Sequence, residues 1–289
     1  MNTHDVIVCV HNGKEETLNC LESLIDNWSS KISGEIIIID DASSDDTCRA
    51  LSDFANANKL IRIHRLPKQS YYTKAANAGL KQSTAKYRTL LNSDTVVTSG
   101  WREKILSVFQ SCDQIGIVGP LSNAASTQSV PHFKSGPKQT AVNLMPPGVV
   151  PEDFSKVLLQ AMNMDSPPFV PLVHGFCMTV KSDVIDVIGL LDEDLFPNGY
   201  GEENDYCFRA DDAGFILAVA VNAFVYHRKS VSYSDNELRV KFMNSGMTEL
   251  VKKYGSKRIE YSVAYMEANP VLMKARESIL NKWFDFYSS

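Results

Sequence analysis

Glu35-Ile36-Ile37-Ile38-Ile39-Asp40-Asp41 is the stretch that decides the fold. Four β-branched residues in a row, stopping at two carboxylates, suit a strand buried on both faces. Ser43-Ser44-Asp45-Asp46 then caps a helix running to about Asn56. The same unit recurs on either side. Upstream, Val6–Val10 is an apolar run ending at His11-Asn12-Gly13, after which Leu18, Leu21, Leu24 and Ile25 return at helical spacing. Downstream, Ile61–His64 reads as a strand followed by a helix near Thr73–Gln82, and Tyr87–Leu91 as a strand that ends at Asn92-Ser93-Asp94. Strands alternating with helices at these lengths predict an α/β fold with a mostly parallel, Rossmann-like sheet and right-handed crossovers. Such sheets bind ligands beyond the carboxyl ends of their strands. His11-Asn12, Asp40-Asp41 and Asn92-Ser93-Asp94 should therefore meet on one rim.

Beyond Gly119 the texture changes, because nine of the twelve prolines fall between Pro120 and Pro171. Regular sheet is not expected there; an ordered loop system or lid beside the site is, interrupted by a helix near Pro151–Asn163. Val173–Val180, Phe215–Val221 and Phe224–His227 read as three further strands. After Asp235 the pattern turns helical, with Leu238, Phe242, Met247, Leu250 and Val251 on one side and a second helical stretch from Val271 to Phe286.

Bulk properties narrow the function classes. A formal net charge of -5 argues against nonspecific nucleic-acid binding, which needs clustered cations. No run approaches the roughly 18 uninterrupted apolar residues of a membrane span. The N-terminus lacks the basic-then-apolar pattern of an export signal, and the six scattered cysteines read as buried thiols of a reducing compartment. A cytoplasmic protein is the expectation.

Two constellations carry chemistry. Gly201-Glu202-Glu203-Asn204-Asp205 crowds three carboxylates just before the apolar Tyr206, Cys207 and Phe208, which would draw them toward a core. Like charges so placed disfavour joint ionisation. The plainer reading is a helix N-terminus whose acidic first turn complements the macrodipole, with Arg209 pairing to it. Asn92-Ser93-Asp94 offers oxygen ligands to a hard cation at a strand tip, as an ordinary turn would also look. His227 ends a later strand and could complete such a site.

Taken in order, these pieces resemble the family 2 inverting glycosyltransferases of GT-A nucleotide-diphospho-sugar transferase fold, and within them bacterial rhamnosyl-type and galactosyl-type enzymes. The matching text is Val8–Gly13, Ile39–Asp45, Ala75–Gly79, Leu90–Thr95, Gly119–Ala124, Leu190–Glu193, Gly199–Arg209 and Val225–Arg228, so the resemblance spans roughly residues 5 to 232. It implies a glycosyltransferase domain over 1–232, with a nucleotide-binding half (1–119) and an acceptor-binding half (120–232), followed by a helical extension at 233–289. It assigns His11, Asn12, Asp40, Asp41, Asn77, Asn92 and Ser93 to the nucleotide; Lys74, where the chain departs from the family pattern, could reach a phosphate or simply start an exposed helix. Asp94 and His227 become ligands of a divalent metal, Mn2+ or Mg2+. Glu203 becomes the general base, Glu202 an acceptor-binding residue, and Asp205 an acceptor contact or helix cap. The first acidic position of the usual metal motif is Asn92 here, and Tyr71-Tyr72-Thr73-Lys74 stands where relatives often carry glycines.

The implied donor is a UDP- or dTDP-sugar and the implied acceptor a saccharide, free or lipid-linked, in cell-surface polysaccharide synthesis. A lipid-linked acceptor would bring peripheral contact with the inner face of the membrane. The C-terminal helices, with Lys252-Lys253, Lys257-Arg258 and Trp283, are candidates for a lid, a homodimer interface or that membrane contact; packing on the core is the plainer reading. A binding-only scaffold of the same fold is the alternative. An NAD-dependent dehydrogenase is disfavoured because His11-Asn12-Gly13-Lys14-Glu15-Glu16 replaces its glycine-rich turn.

Overall fold

The computed structural model describes residues 3–136, 139–162, 166–229 and 236–288. The first half follows the expected alternation: β1 (His4–Val10), α1 (Lys14–Asp26), β2 (Ile36–Asp40), α2 (Thr47–Ala57), β3 (Ile61–Arg65), α3 (Tyr71–Gln82) and β4 (Tyr87–Asn92). β5 (Thr95–Val97), α4 (Trp101–Ser111) and β6 (Ile115–Leu121) come next. A small hairpin, β7 (Lys134–Gly136) with β8 (Gln139–Thr140), and α5 (Pro151–Ala161) occupy the proline-rich stretch. Then follow β9 (Cys177–Lys181), α6 (Ser182–Ile188), α7 (Glu202–Asp212) and β10 (Ile216–His227), and finally α8 (Asn236–Tyr254), α9 (Ser256–Ala268) and α10 (Pro270–Ser288).

Among the described residues the main sheet has eight strands in the order β3-β2-β1-β4-β9-β6-β10-β5. β3, β2, β1 and β4 run parallel, as do β6 and β10, whereas β9 is antiparallel to both its neighbours and β5 is antiparallel to β10. The isoleucine run lies at the centre of the parallel part. Because side chains alternate along a strand, Ile37 and Ile39 join Ile7 in the layer with Ala75, Ala76 and Leu80 of α3. Ile36 and Ile38 join Val6 and Val8 in the opposite layer, against Leu21 and Leu24 of α1 and Trp101 and Ile105 of α4. All four isoleucines are fully buried, each contributing about 1.5–3 kcal/mol of transfer free energy. Gly79 lets α3 lie flat on β1: a Cβ there would stand 2.2 Å from Ile7 Cγ2.

Several expectations change. Pro120 sits inside a fully buried strand, so sheet does enter the proline-rich stretch. The expected strand Val173–Val180 begins only at Cys177, leaving His174-Gly175 in the approach to it. Phe215–Val221 and Phe224–His227 are one continuous strand, β10, whose register against β6 shifts between Ala220 and Phe224. The apolar periodicity is interrupted there by a shift of pairing register, not by a turn. The C-terminal region holds a third helix, α9, between the two expected. The helix end at Asn163 and the boundary at 232/233 lie outside the described residues. No helix among the described residues is long and apolar enough to cross a membrane.

Candidate active site

A cleft of about 850 Å³ opens at the carboxyl ends of β1 and β4, as the parallel-sheet rule requires. β1 delivers His11 and Asn12 to its wall, the end of β2 delivers Asp41, and β4 delivers Asn92, Ser93 and Asp94. His11 Nδ1–H donates to the Asp41 carbonyl 2.7 Å away. Asn12, at φ 59°, takes Ser44 N–H on its Oδ1 at 2.7 Å and so ties the β1 turn to the start of α2. The Asp41 carboxylate accepts Ser70 N–H at 2.6 Å and Tyr71 N–H at 2.8 Å. Burial raises its pKa, and those two donors oppose the rise.

Strand register explains the pairing of Asp94 with His227. In the antiparallel β5–β10 ladder His227 lies opposite Thr95, the residue after Asp94. His227 Nε2 is 3.2 Å from Asp94 Oδ1. Nδ1 of the same ring is 2.9 Å from the Ala124 carbonyl, a contact only an N–H can satisfy. With Nδ1–H so engaged, Nε2 faces the carboxylate, and the Asn92 side-chain amide lies 3.4 Å from the same nitrogen. That arrangement suits a cation, and imidazole with carboxylate is a donor set that Mn2+ accepts. Among the described residues no third His, Cys, Asp or Glu gathers with them, so phosphate oxygens and water would have to complete a coordination shell. Phe176 stacks on the His227 ring with centroids 5.5 Å apart and holds its plane.

Glu202 and Glu203, from the first turn of α7, line the same cleft. Glu202 is 5% exposed, and its Oε2 has no hydrogen-bond partner. Burial, then the adjacent Glu203 charge, pushes the Glu202 carboxyl well above the ordinary range. Burial also raises Glu203, less far, because backbone N–H donors favour its ionised form; Gly201 N–H reaches Glu203 Oε2 at 3.3 Å. The upward direction, unreadable from sequence, is thus set by desolvation.

Four of the candidate residues do not line the cleft. Asp40 is buried beneath it, where its carboxylate accepts Ser43 N–H and pairs with Arg65. Lys74 points outward from α3 and is exposed. Asn77 is buried and ties α3 to the Leu191–Glu193 loop, donating to the Leu191 carbonyl at 2.9 Å and to Glu193 Oε2 at 2.7 Å. Asp205, with no exposed side-chain area, takes Arg209 at 2.7 Å, Lys253 Nζ at 2.7 Å and Tyr254 Oη–H at 2.7 Å. Those cations hold its carboxyl below the usual range. It caps no helix N-terminus and does not line the cleft.

The cleft also holds residues not singled out for it, among them His174, Tyr200, Lys229 and Leu238. His174 Nε2 meets Thr127 Oγ1 at 2.9 Å, and burial together with the Lys229 charge lowers its pKa to about 4. Tyr71 and Tyr72, also in the wall, carried an advance signal as the pair that stands where relatives often carry glycines.

Comparison with known proteins agrees with this architecture. A pre-mycofactocin glycosyltransferase of Mycobacterium tuberculosis is 25% identical over 226 residues, covering 77% of this chain and 43% of that protein. An uncharacterized glycosyltransferase of Haemophilus influenzae is 28% identical over 114 residues, 39% of this chain and 35% of that one. The chain therefore spans less than half the length of these curated relatives. Among solved structures, the mannosyltransferase PcManGT from Pyrobaculum calidifontis, in complex with GDP-Man and Mn2+, superposes with a TM-score of 0.62 at 15% identity, over 96% of this chain and 74% of that one. GalNAc-T7 with UDP, GalNAc and Mn2+ gives 0.65 at 17% identity, over 99% and 56%. At such identity the likeness is one of fold, and the fold is GT-A. The family model described as glycosyl transferase family 2 matches residues 5–155, more than half of the chain, and the protein belongs to that family.

Proposed function

We propose that this chain is a metal-dependent inverting glycosyltransferase that moves a sugar from a UDP- or dTDP-sugar to a saccharide hydroxyl in cell-surface polysaccharide synthesis. One observation carries the reading: a single cleft holds the Asp94–His227 pair at the strand ends and the buried Glu202–Glu203 pair in its wall. On this reading residues 1–119 serve the donor nucleotide, 120–232 the acceptor, and 233–289 form an extension. Neighbours of the same fold bind GDP-Man or UDP together with Mn2+, in keeping with a nucleotide-sugar donor.

Glu203, ionised, accepts the proton of the acceptor hydroxyl as that oxygen attacks the anomeric carbon. The new carbon–oxygen bond forms as the bond to the phosphate oxygen breaks, and the electron pair leaves with the nucleoside diphosphate. Burial favours the protonated form of Glu202, and in that form it would keep a second negative charge away from the attacking oxygen and offer an O–H to the acceptor. Lys229 lines the cleft and adds positive charge on the phosphate side. A divalent cation on Asp94 and His227 would neutralise the leaving diphosphate. The reaction belongs, on this reading, to the cytoplasmic side, against the inner face of the membrane when the acceptor is lipid-linked.

Calorimetric or thermal-shift titration with UDP, dTDP and GDP, each with and without Mn2+, tests the assignment. Metal-dependent stabilisation by one diphosphate, lost in Asp94→Ala, is the expected result. Indifference to every diphosphate with metal present would remove the metal site and with it the proposal.

A further inference from the structure

The C-terminal helix α8 is packed directly against the turn that carries the catalytic carboxylates. Gly246, in the middle of α8, lies on the Tyr200 carbonyl so closely that a Cβ built on it would come within 1.6 Å of that oxygen. Leu250, one turn further, is buried against Gly201. The far end of the helix is anchored by Lys253 and Tyr254, which both reach the buried Asp205 carboxylate at 2.7 Å. Arg209, bound to the same carboxylate, donates onward to the Ile188 and Leu190 carbonyls, so α6, α7 and α8 share one polar hub.

The turn itself is held in unusual backbone geometry. Gly199, Tyr200 and Gly201 all have positive φ, at 84°, 63° and 133°. For tyrosine that conformation is strained and needs its surroundings to hold it. The Tyr200 carbonyl and the Gly201 N–H belong to one planar peptide unit. Its oxygen faces Gly246, and its N–H donates to Glu203 Oε2 at 3.3 Å. Whatever fixes the carbonyl also fixes the donor that grips the base.

We infer that α8 positions the general base through this peptide plane, with Gly246 as the positioning residue and the Asp205–Lys253–Tyr254 cluster as its anchor. The inference rests on the role given to Glu203 above. The family match ends at residue 155, so it does not cover this device. Any side chain at 246 must push the plane away, turning the Gly201 N–H from the carboxylate. Withdrawing a donor from the ionised form raises the pKa of Glu203. Among the described residues Glu202, Tyr72, Tyr200 and Cys207 interact electrostatically with Glu203, and Arg239 of α8 acts on Tyr200 beside them.

The test uses the full chain. Gly246→Ala should lower kcat by on the order of 100-fold, the cost of misplacing a reacting group by about 1 Å. Donor KM and Mn2+-dependent diphosphate binding should hold, and the acid limb of the kcat profile should move to higher pH. Met247→Ala, the next residue on the same helix and 47% exposed, is the control and should change none of these. If the alanine at 246 prevents folding, Lys253→Met with Tyr254→Phe loosens the anchor without adding atoms and should shift kcat and the acid limb in the same directions. An NMR titration of the Glu203 carboxyl carbon reads the upward shift without turnover, so the inference stands or falls even if no donor is used. A wild type that turns over no nucleotide-sugar sinks the transferase reading. A wild type that does, beside a Gly246→Ala protein with unchanged kcat and an unchanged Glu203 titration, sinks this inference alone.

Discussion

Glu202 and Glu203 are neighbouring carboxyls whose titration is set by burial, and on the proposed reading they divide a task. Both titrate higher folded than unfolded, because burial disfavours their charge. Protonation therefore favours the folded state, and stability falls as pH rises from the ordinary carboxylate range through the raised values. Glu202→Gln should accordingly raise Tm at neutral and alkaline pH and leave it nearly unchanged in acid, as a thermal melt series across pH would show. Glu203→Gln should cut transfer by about 10²–10⁴-fold while diphosphate binding with Mn2+ survives, the signature of a lost base. Asp205 has the opposite sign. Its pKa is lowered, so the stability it supplies is present above the ordinary carboxylate range and lost as pH falls through the lowered value. Asp205→Asn leaves Arg209 and Lys253 without their shared anion and should cost about 3 kcal/mol in a denaturant titration.

At the scale of elements, the decisive contacts are close approaches that only glycine permits. α3 lies on β1 at Gly79, where an added methyl group meets Ile7 Cγ2 at 2.2 Å. Gly79→Ala should destabilise the protein by about 1–3 kcal/mol, the usual cost of overpacking a filled core, and chemical denaturation would measure it. The strand–helix alternation of residues 4–92 was legible in the sequence because each element carries its own period. Ile36–Ile39 are apolar without interruption since both faces of β2 are covered, and α1 repeats Leu21 and Leu24 on one side. β10 was not legible as one strand. Its shift of register between Ala220 and Phe224 imitates a turn in the hydrophobic pattern, and only pairing with β6 on one stretch and β5 on the next keeps it continuous. α9 escaped for a related reason: its described residues leave Tyr261 and Tyr265 exposed and bury little, so its pattern carries a weak apolar face.

For the whole molecule, function depends on bringing the rim of the sheet, the proline-rich loops and the C-terminal helices around one cleft. Ala124–Ser126 from the loops and Leu238 from α8 reach the wall beside residues of β1 and β4. Trp283 of α10 packs on Phe154 of α5 at 5.6 Å, so α10 closes on the core, as the plainer reading of this region had it. A ligand that binds only the assembled cleft stabilises the fold by mass action. A nucleoside diphosphate with Mn2+ at 100 times its Kd should add about 2.7 kcal/mol, an increment that Asp94→Ala removes in a thermal-shift assay.

The sequence by itself determined the class of fold and the residues at the strand ends, because hydrophobic period and strand-terminal polarity are local properties. His11, Asn12, Asp41, Asn92, Asp94 and His227 were legible in that way, and Glu203 through the acidic Gly201–Asp205 cluster and the family resemblance; all line the cleft. Tertiary structure decided the rest. Asp40 and Asp41 are adjacent and chemically identical, yet Asp40 turns inward to Arg65 while Asp41 faces the cleft. Asp205 stands in an acidic motif, but its carboxylate takes Lys253 and Tyr254 from α8, 48 and 49 residues along the chain. Which neighbour a carboxylate meets is set by long-range pairing and packing, and no local pattern of residues encodes that.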